Sequence, residues 1–133
     1  MDAPAESPGA PEPAARRPEV LKKRRDFLAA ARGRKHAGES LVLQARRRRE
    51  DEAPDAVRIG YTCSKKVGGA VVRNRAKRRL RAAVAAILPR EGRPGWDYVV
   101  IGREGTTISA PFPRLLADLE AGLARVHAEK RPK

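Results

Sequence analysis

The densest run of reactive side chains lies between residues 64 and 81: Ser64-Lys-Lys-Val-Gly-Gly-Ala-Val-Val-Arg-Asn-Arg-Ala-Lys-Arg-Arg-Leu-Arg81. Residues 61–81 hold Lys65, Lys66, Arg73, Arg75, Lys77, Arg78, Arg79 and Arg81 with no acid among them. Guanidinium groups fork two donors onto phosphate oxygens. Asn74 can donate and accept at a base edge or a 2′-hydroxyl. Gly68 and Gly69 let the backbone approach a ligand or take positive φ. The run is not a phosphate-cradling nucleotide loop, since the G-x-x-x-x-G-K-[ST] spacing is missing. Its chemistry is polyanion binding.

No other constellation competes with it. The chain offers no convincing Ser/His/Asp or Cys/His set, so no catalytic residue is assigned. Cys63 is the single cysteine, and His36 and His127 lie far apart in sequence, which argues against zinc; no metal ligand is assigned. A protein-only nuclease would need a carboxylate cluster that is not evident. Lys and Arg total 30 against 16 Asp and Glu in 133 residues, a formal net charge of +14. Residues 21–35 carry Lys22, Lys23, Arg24, Arg25, Arg32, Arg34 and Lys35 against Asp26 alone. This window and 61–81 together account for the whole excess. The Arg46–Arg49 run is offset by Glu50, Asp51, Glu52 and Asp55 in the adjoining loop, and nothing is assigned to it. Apolar runs are short and the apolar fraction of 41% is rich in alanine, so one modest core is expected. No segment is long enough to span a membrane, and the N-terminus lacks an apolar leader, so a cytoplasmic protein is expected.

The elements that must carry these residues follow from periodicity. Residues 1–20 are rich in Pro and Ala and read as a disordered tail; the folded domain spans 21–127, and 128–133 is a charged tail. A short helix is expected over 25–31, with Gly33 as its stop. Lys35–Ala37 and Leu41–Ala45 have strand character. Val57, Ile59, Tyr61 and Cys63 alternate onto one face of a further strand, which is expected to pair antiparallel with Leu41–Ala45. A helix over 71–88, ended by Pro89, places Val72, Ala76, Leu80, Ala83, Val84 and Ile87 on one stripe, with bases around the rest. Trp96–Gly102 reads as a buried strand, parallel to 57–63 through the crossover. A last helix over 112–127 is capped by Ser109 or Thr107, with Pro111 or Pro113 in its first turn. The order α-β-β-β-α-β-α describes an α+β two-layer sandwich on a small mixed sheet. Phe27, set among bases, is a core residue or a stacking platform for single-stranded nucleic acid. A DNA-reading helix over 71–88 fits the composition, although a strand rather than a helix precedes it. A structural ribosomal-type RNA-binding protein is the main alternative.

The run 64–79 resembles the S-K-K-[VI]-G-x-A-V-x-R-N-R-x-[KR]-R core of the bacterial ribonuclease P protein component. Leu21-Lys-Lys-Arg-Arg-Asp-Phe27 resembles that family's entry into its first helix, and Trp96–Arg103 its last strand. The resemblance implies a left-handed crossover at the central helix. It implies a non-catalytic subunit of a ribonucleoprotein endoribonuclease in tRNA processing, whose RNA carries the active site and its Mg²⁺. The partners it implies are the catalytic ribonuclease P RNA and precursor tRNA, with the protein alone monomeric. Lys65, Lys66, Arg73, Asn74, Arg75, Lys77 and Arg78 then face the catalytic RNA. Phe27, Lys23, Gln44 and Arg103 line the cleft for the 5′ leader. Ala31 and Gln44 stand where the family often has further aromatics, so leader contacts rest on Phe27, on hydrogen bonds from Gln44 and on charge.

Overall fold

A computed structural model describes residues 18–49 and 55–128. Most of the expected N-terminal tail, the centre of the 46–55 loop and residues 129–133 lie outside them. The described elements run β1 (Glu19–Val20), α1 (Arg24–Ala31), β2 (Arg34–Ala37), β3 (Leu41–Arg47), β4 (Arg58–Thr62), a 3₁₀ turn (Lys65–Val67), α2 (Ala70–Glu91), β5 (Trp96–Gly102), α3 (Thr106–Ser109) and α4 (Phe112–His127). The α+β sandwich is therefore as expected, with β1, α3 and the 3₁₀ turn added. The segment read as tail contributes a strand: Glu19 and Val20 pair in parallel with Arg58 and Ile59. Composition alone hides so short a strand, because its backbone partner comes from elsewhere in the chain.

The five strands lie in the order β1-β4-β5-β3-β2. β4 and β5 are parallel, as the helical crossover requires. The expected pairing of the 41–45 and 57–63 strands does not occur, because β5 inserts between β3 and β4. β5 is apolar on both faces, from Val99 to Ile101, and only the centre of the sheet buries both.

The two faces carry different layers. On one, α2 and α4 cover Leu41, Leu43, Ile59, Tyr98 and Val100, with Tyr61 and Cys63 packed against their edge. The predicted alternation of Val57, Ile59, Tyr61 and Cys63 onto one face therefore holds. On the other face α1 crosses the strands, and Leu21, Ala30 and Val99 form a small second core with Phe27 and Ile101 against it. Gly60 makes that crossing possible: a Cβ there would lie 2.5 Å from the Phe27 ring.

Helix α2 differs from its expected form at both ends. Pro89 does not end it; the helix runs on to Glu91 and stops at Gly92. Pro89 removes the amide that would bond the Ala85 carbonyl, and two residues follow it before Gly92. Leu88 joins the core, whereas Val72 is 37% exposed. Val71, one residue earlier, is 81% exposed, so the first turn of α2 is open to solvent on this side. Nor do Ser109 or Thr107 cap α4, whose N-cap is Pro111. The fully buried Thr107 hydroxyl accepts from the Arg103 amide (2.7 Å) and donates to the Ser40 carbonyl (2.6 Å). Asp118 of α4 closes the same corner by accepting from the Ser40 amide and hydroxyl at 2.9 and 2.5 Å.

Asp97 of β5 is fully buried on the α1 face. Its carboxylate accepts from Arg48 Nη1 (2.5 Å) and from Arg58 Nε and Nη2 (2.7 and 2.9 Å). Arg46 Nε lies 3.9 Å away. Arg46 and Arg48 thus find a counter-charge across the sheet, a partner that the local reading of the 46–49 run does not supply. At the same end of the sheet, on the opposite face, the Tyr98 hydroxyl accepts from the Arg93 amide (3.0 Å) and shares a hydrogen bond with His127 Nε2 (2.6 Å). Burial, with Arg93 and Arg34 nearby, lowers the His127 pKa to about 4, so the ring is neutral near pH 7.

Two outcomes follow. Asp97→Ala strands the buried Arg48 charge and should lower unfolding stability by about 3–5 kcal/mol, read by urea denaturation. The unfolded chain protonates His127 near its ordinary pKa of 6.5, while the folded chain resists protonation until about 4. Its contribution is therefore complete above about pH 6.5 and is lost as pH falls toward 4. His127→Gln keeps an acceptor but does not titrate, so its urea midpoint should fall less than the wild-type midpoint over that window.

Candidate nucleic-acid interface

The parallel strand β4 delivers the chain to one end of the sheet, where residues 63–69 turn it into α2. Ser64 opens the turn by accepting from the Lys66 amide at 3.2 Å. Lys65 and Lys66 are exposed on the 3₁₀ turn that follows. Gly68 has φ 148°, and a Cβ there would meet the Val72 side chain at 2.8 Å, so both backbone and space call for glycine. Gly69 is the N-cap of α2 with φ −72°, and a Cβ there would touch nothing within 4 Å.

Helix α2 then presents its bases unequally. Asn74, Arg75 and Arg78 are exposed, and Arg73 and Lys77 are half-buried. Arg73 Nε is buried with no hydrogen-bond partner among the described residues. Arg73 and Lys77 face Cys63, whose thiol pKa is raised by burial against their opposing pull. Arg79 belongs to the fold: it donates to the Ile108 carbonyl at 2.9 Å and to the Ala110 carbonyl, tying α2 to the α3–α4 corner. Arg81 sits over the Tyr61 ring, 5.4 Å from its centroid. Among the described residues no acid pairs with Lys65, Lys66, Arg73, Arg75, Lys77 or Arg78. The first turn of α2 contains no acid either. The positive end of the helix dipole therefore adds to the bases, giving a patch suited to phosphate.

The expected leader-cleft residues are only partly brought together. Phe27 is half-buried on Gly60, and Gln44 is half-buried in the same row of the sheet, paired with Val99, which pairs in turn with Gly60. The next row, Val42, Ile101 and Thr62, is also half-buried and uncharged. Lys23 is exposed at the start of α1. Arg103 lies four residues beyond Val99, about 13 Å along the strand direction. Its guanidinium donates to the Gly38 carbonyl at 2.9 Å, at a separate cleft of about 630 Å³. It therefore marks the far end of the trough and does not sit beside Phe27. Sequence reasoning missed the exposed apolar partner of the basic patch, Val71, which is 81% exposed at the tip of α2. A helical stripe read alone gives no sign that this turn is left uncovered.

The glycine geometry has a direct consequence. Gly68→Ala should destabilise by more than about 1 kcal/mol, whereas Gly69→Ser, a better cap, should leave the melting temperature unchanged or slightly raised. Thermal denaturation of both variants separates the two roles.

Comparison with known proteins agrees with this geometry. The Ribonuclease P family model matches residues 15–127. The ribonuclease P protein component of Ruegeria pomeroyi is 58% identical over 111 residues, covering 84% of this chain and 88% of the relative. That of Paramagnetospirillum magneticum is 53% identical over 110 residues, covering 81% and 82%. Among solved structures, the RNase P protein from Thermotoga maritima aligns with a TM-score of 0.66 at 28% identity, covering 83% of this chain and 99% of that one. The Staphylococcus aureus RNase P protein aligns with a TM-score of 0.64 at 25% identity, covering 84% and 100%. With a match across most of its length in both sequence and fold, the chain belongs to the bacterial ribonuclease P protein family, and through it to tRNA 5′-end processing.

Proposed function

We propose that this chain is the non-catalytic protein subunit of a ribonucleoprotein endoribonuclease, monomeric when alone. It docks on the catalytic RNA through the first turns of α2 and takes the 5′ leader of precursor tRNA across the α1 face of the sheet. The observation that carries the reading is the division of labour among the bases. Arg48, Arg58 and Arg79 are spent on internal acceptors, while Lys65, Lys66, Arg75 and Arg78 stand exposed together. Like charges gathered without a counter-charge repel one another, and a bound polyanion relieves that cost.

The acids support the same reading. Asp97 is engaged by arginines, Asp118 by Ser40 and Glu39 by Arg114. These positions do not pair carboxylates for general acid–base chemistry. Among the described residues no group of three or more His, Cys, Asp or Glu is placed to hold a metal. In this reading Mg²⁺ belongs to the RNA, which supplies the hydrolytic step. The protein's part is binding and charge neutralisation, which lets two polyanions approach at low Mg²⁺. The half-buried trough beside Phe27 suits an unpaired strand: the ring offers a stacking face, and Gln44 offers a donor and an acceptor.

The deciding experiment mixes protein, catalytic RNA and precursor tRNA at low Mg²⁺. Cleavage at the mature 5′ end should require the protein and the catalytic RNA together; cleavage by protein alone would overturn the reading. A ribosomal-type RNA-binding protein would bind but not support cleavage. Arg73→Ala and Arg75→Ala should each weaken assembly with the catalytic RNA by about 1–3 kcal/mol. Wild-type affinity should fall by orders of magnitude between about 50 and 200 mM salt. Phe27→Ala should weaken binding of precursor tRNA but not of mature tRNA in filter-binding titrations; equal losses would make Phe27 purely a core residue.

A further inference from the structure

A second basic site lies at the edge of the sheet remote from β1, where the C-terminal ends of α1 and α4 meet β2. It is a cleft of about 530 Å³ lined by Arg32, Arg34, Lys35 and Arg125, with Gly33, Val126 and Ala128, and no Asp or Glu lines it. Arg34 belongs to the fold there. Its Nη1 donates to the Val126 and Ala128 carbonyls at 2.5 and 2.7 Å, and its guanidinium lies 5.6 Å from the Trp96 ring centroid. That contact already satisfies the end of α4 and leaves the other three bases without an internal duty. Arg32, Lys35 and Arg125 are all exposed and form no ion pair among the described residues.

The sheet register ties this cleft to the trough. Lys35 pairs with Gln44, Gln44 with Val99 and Val99 with Gly60, so Lys35 lies on the α1 face in the row that ends under Phe27. Three strand spacings separate the two ends of that row, about 14 Å. An extended strand stacked at Phe27 and led past Gln44 would leave the sheet over Lys35 and meet Arg32 and Arg125.

We infer that Arg32, Lys35 and Arg125 form a second RNA phosphate-binding site at the β2 edge, separate from the α2 patch. The site recognises the phosphodiester backbone and carries no base-reading geometry. The inference rests on the RNA-binding reading above. The leader of precursor tRNA and the catalytic RNA are the two sources of such phosphates, and the register favours the leader.

The test uses the reconstituted holoenzyme with Arg32→Gln/Arg125→Gln, which leaves Arg34 and the α4 terminus intact. Precursor tRNA with a long leader should bind about tenfold more weakly, and precursor with a one- or two-nucleotide leader should bind as to wild type. The slope of log affinity against log salt should shrink by about 0.7 for each phosphate that the variant no longer neutralises. Arg32→Lys/Arg125→Lys should restore both, which a merely structural role would not predict. If the weakening appears instead in binding of the catalytic RNA alone, the phosphate site stands and that RNA is its source. Unchanged affinities and salt slopes for both RNAs would overturn the site while leaving the α2 reading intact. Failure of the wild-type protein to bind either RNA would overturn that reading itself, and the site with it.

Discussion

Asp97 accepts hydrogen bonds from Arg48 and Arg58 with none of its own surface exposed. A buried carboxylate is tolerable only when its lone pairs are filled, and a buried guanidinium only when its charge is answered. Here the two requirements meet at one point on the central strand. Arg58 comes from β4, and Arg46 and Arg48 from the end of β3, so the contact links both neighbours of β5. Asp26 of α1 lies 3.6 Å from Arg58, which brings the crossing helix into the same cluster. One end of the α1 face is therefore charged but internally engaged, and the rows beyond it are neutral and half-open. A trough with a neutral floor follows from where the charge has been tied down.

The same economy sorts the remaining bases. Arg34 and Arg79 donate to main-chain carbonyls at the ends of helices, where unsatisfied acceptors collect. Arg81 lies over an aromatic face. Exposed bases with no ion pair among the described residues gather at the start of α2, at the start of α1 and at the β2 edge. A net charge of +14 is thus resolved into positions that hold the fold and positions that face outward, which residue type alone does not distinguish.

Much of this was legible beforehand. The strand Trp96–Gly102 and the helix Phe112–His127 coincide with their expected bounds, because each has a strong apolar pattern with clear punctuation. The basic patch on α2 was legible from its unbalanced charge. Strand order was less so. The expected pairing of 41–45 with 57–63 assumed that sequence neighbours pair, whereas the two-sided burial of Val99–Ile101 took β5 to the centre. Pro89 was read as a stop because its missing donor is visible in sequence, while the two further residues that α2 adds before Gly92 are not.

The sequence by itself determined the alternation that sets each face, the charge excess of 21–35 and 61–81, and the 64–79 run that carries the family resemblance. These are local properties, fixed by side-chain type and spacing along the chain. Only the tertiary structure decided that Asp97 answers Arg48 and Arg58, that Arg79 is structural while Arg75 is not, that Arg103 stands apart from Phe27, and that Arg125 joins Arg32 and Lys35. The reason is physical: a charge's role depends on its nearest acceptors and its exposure. For these residues the acceptors come from strands and helices distant in sequence.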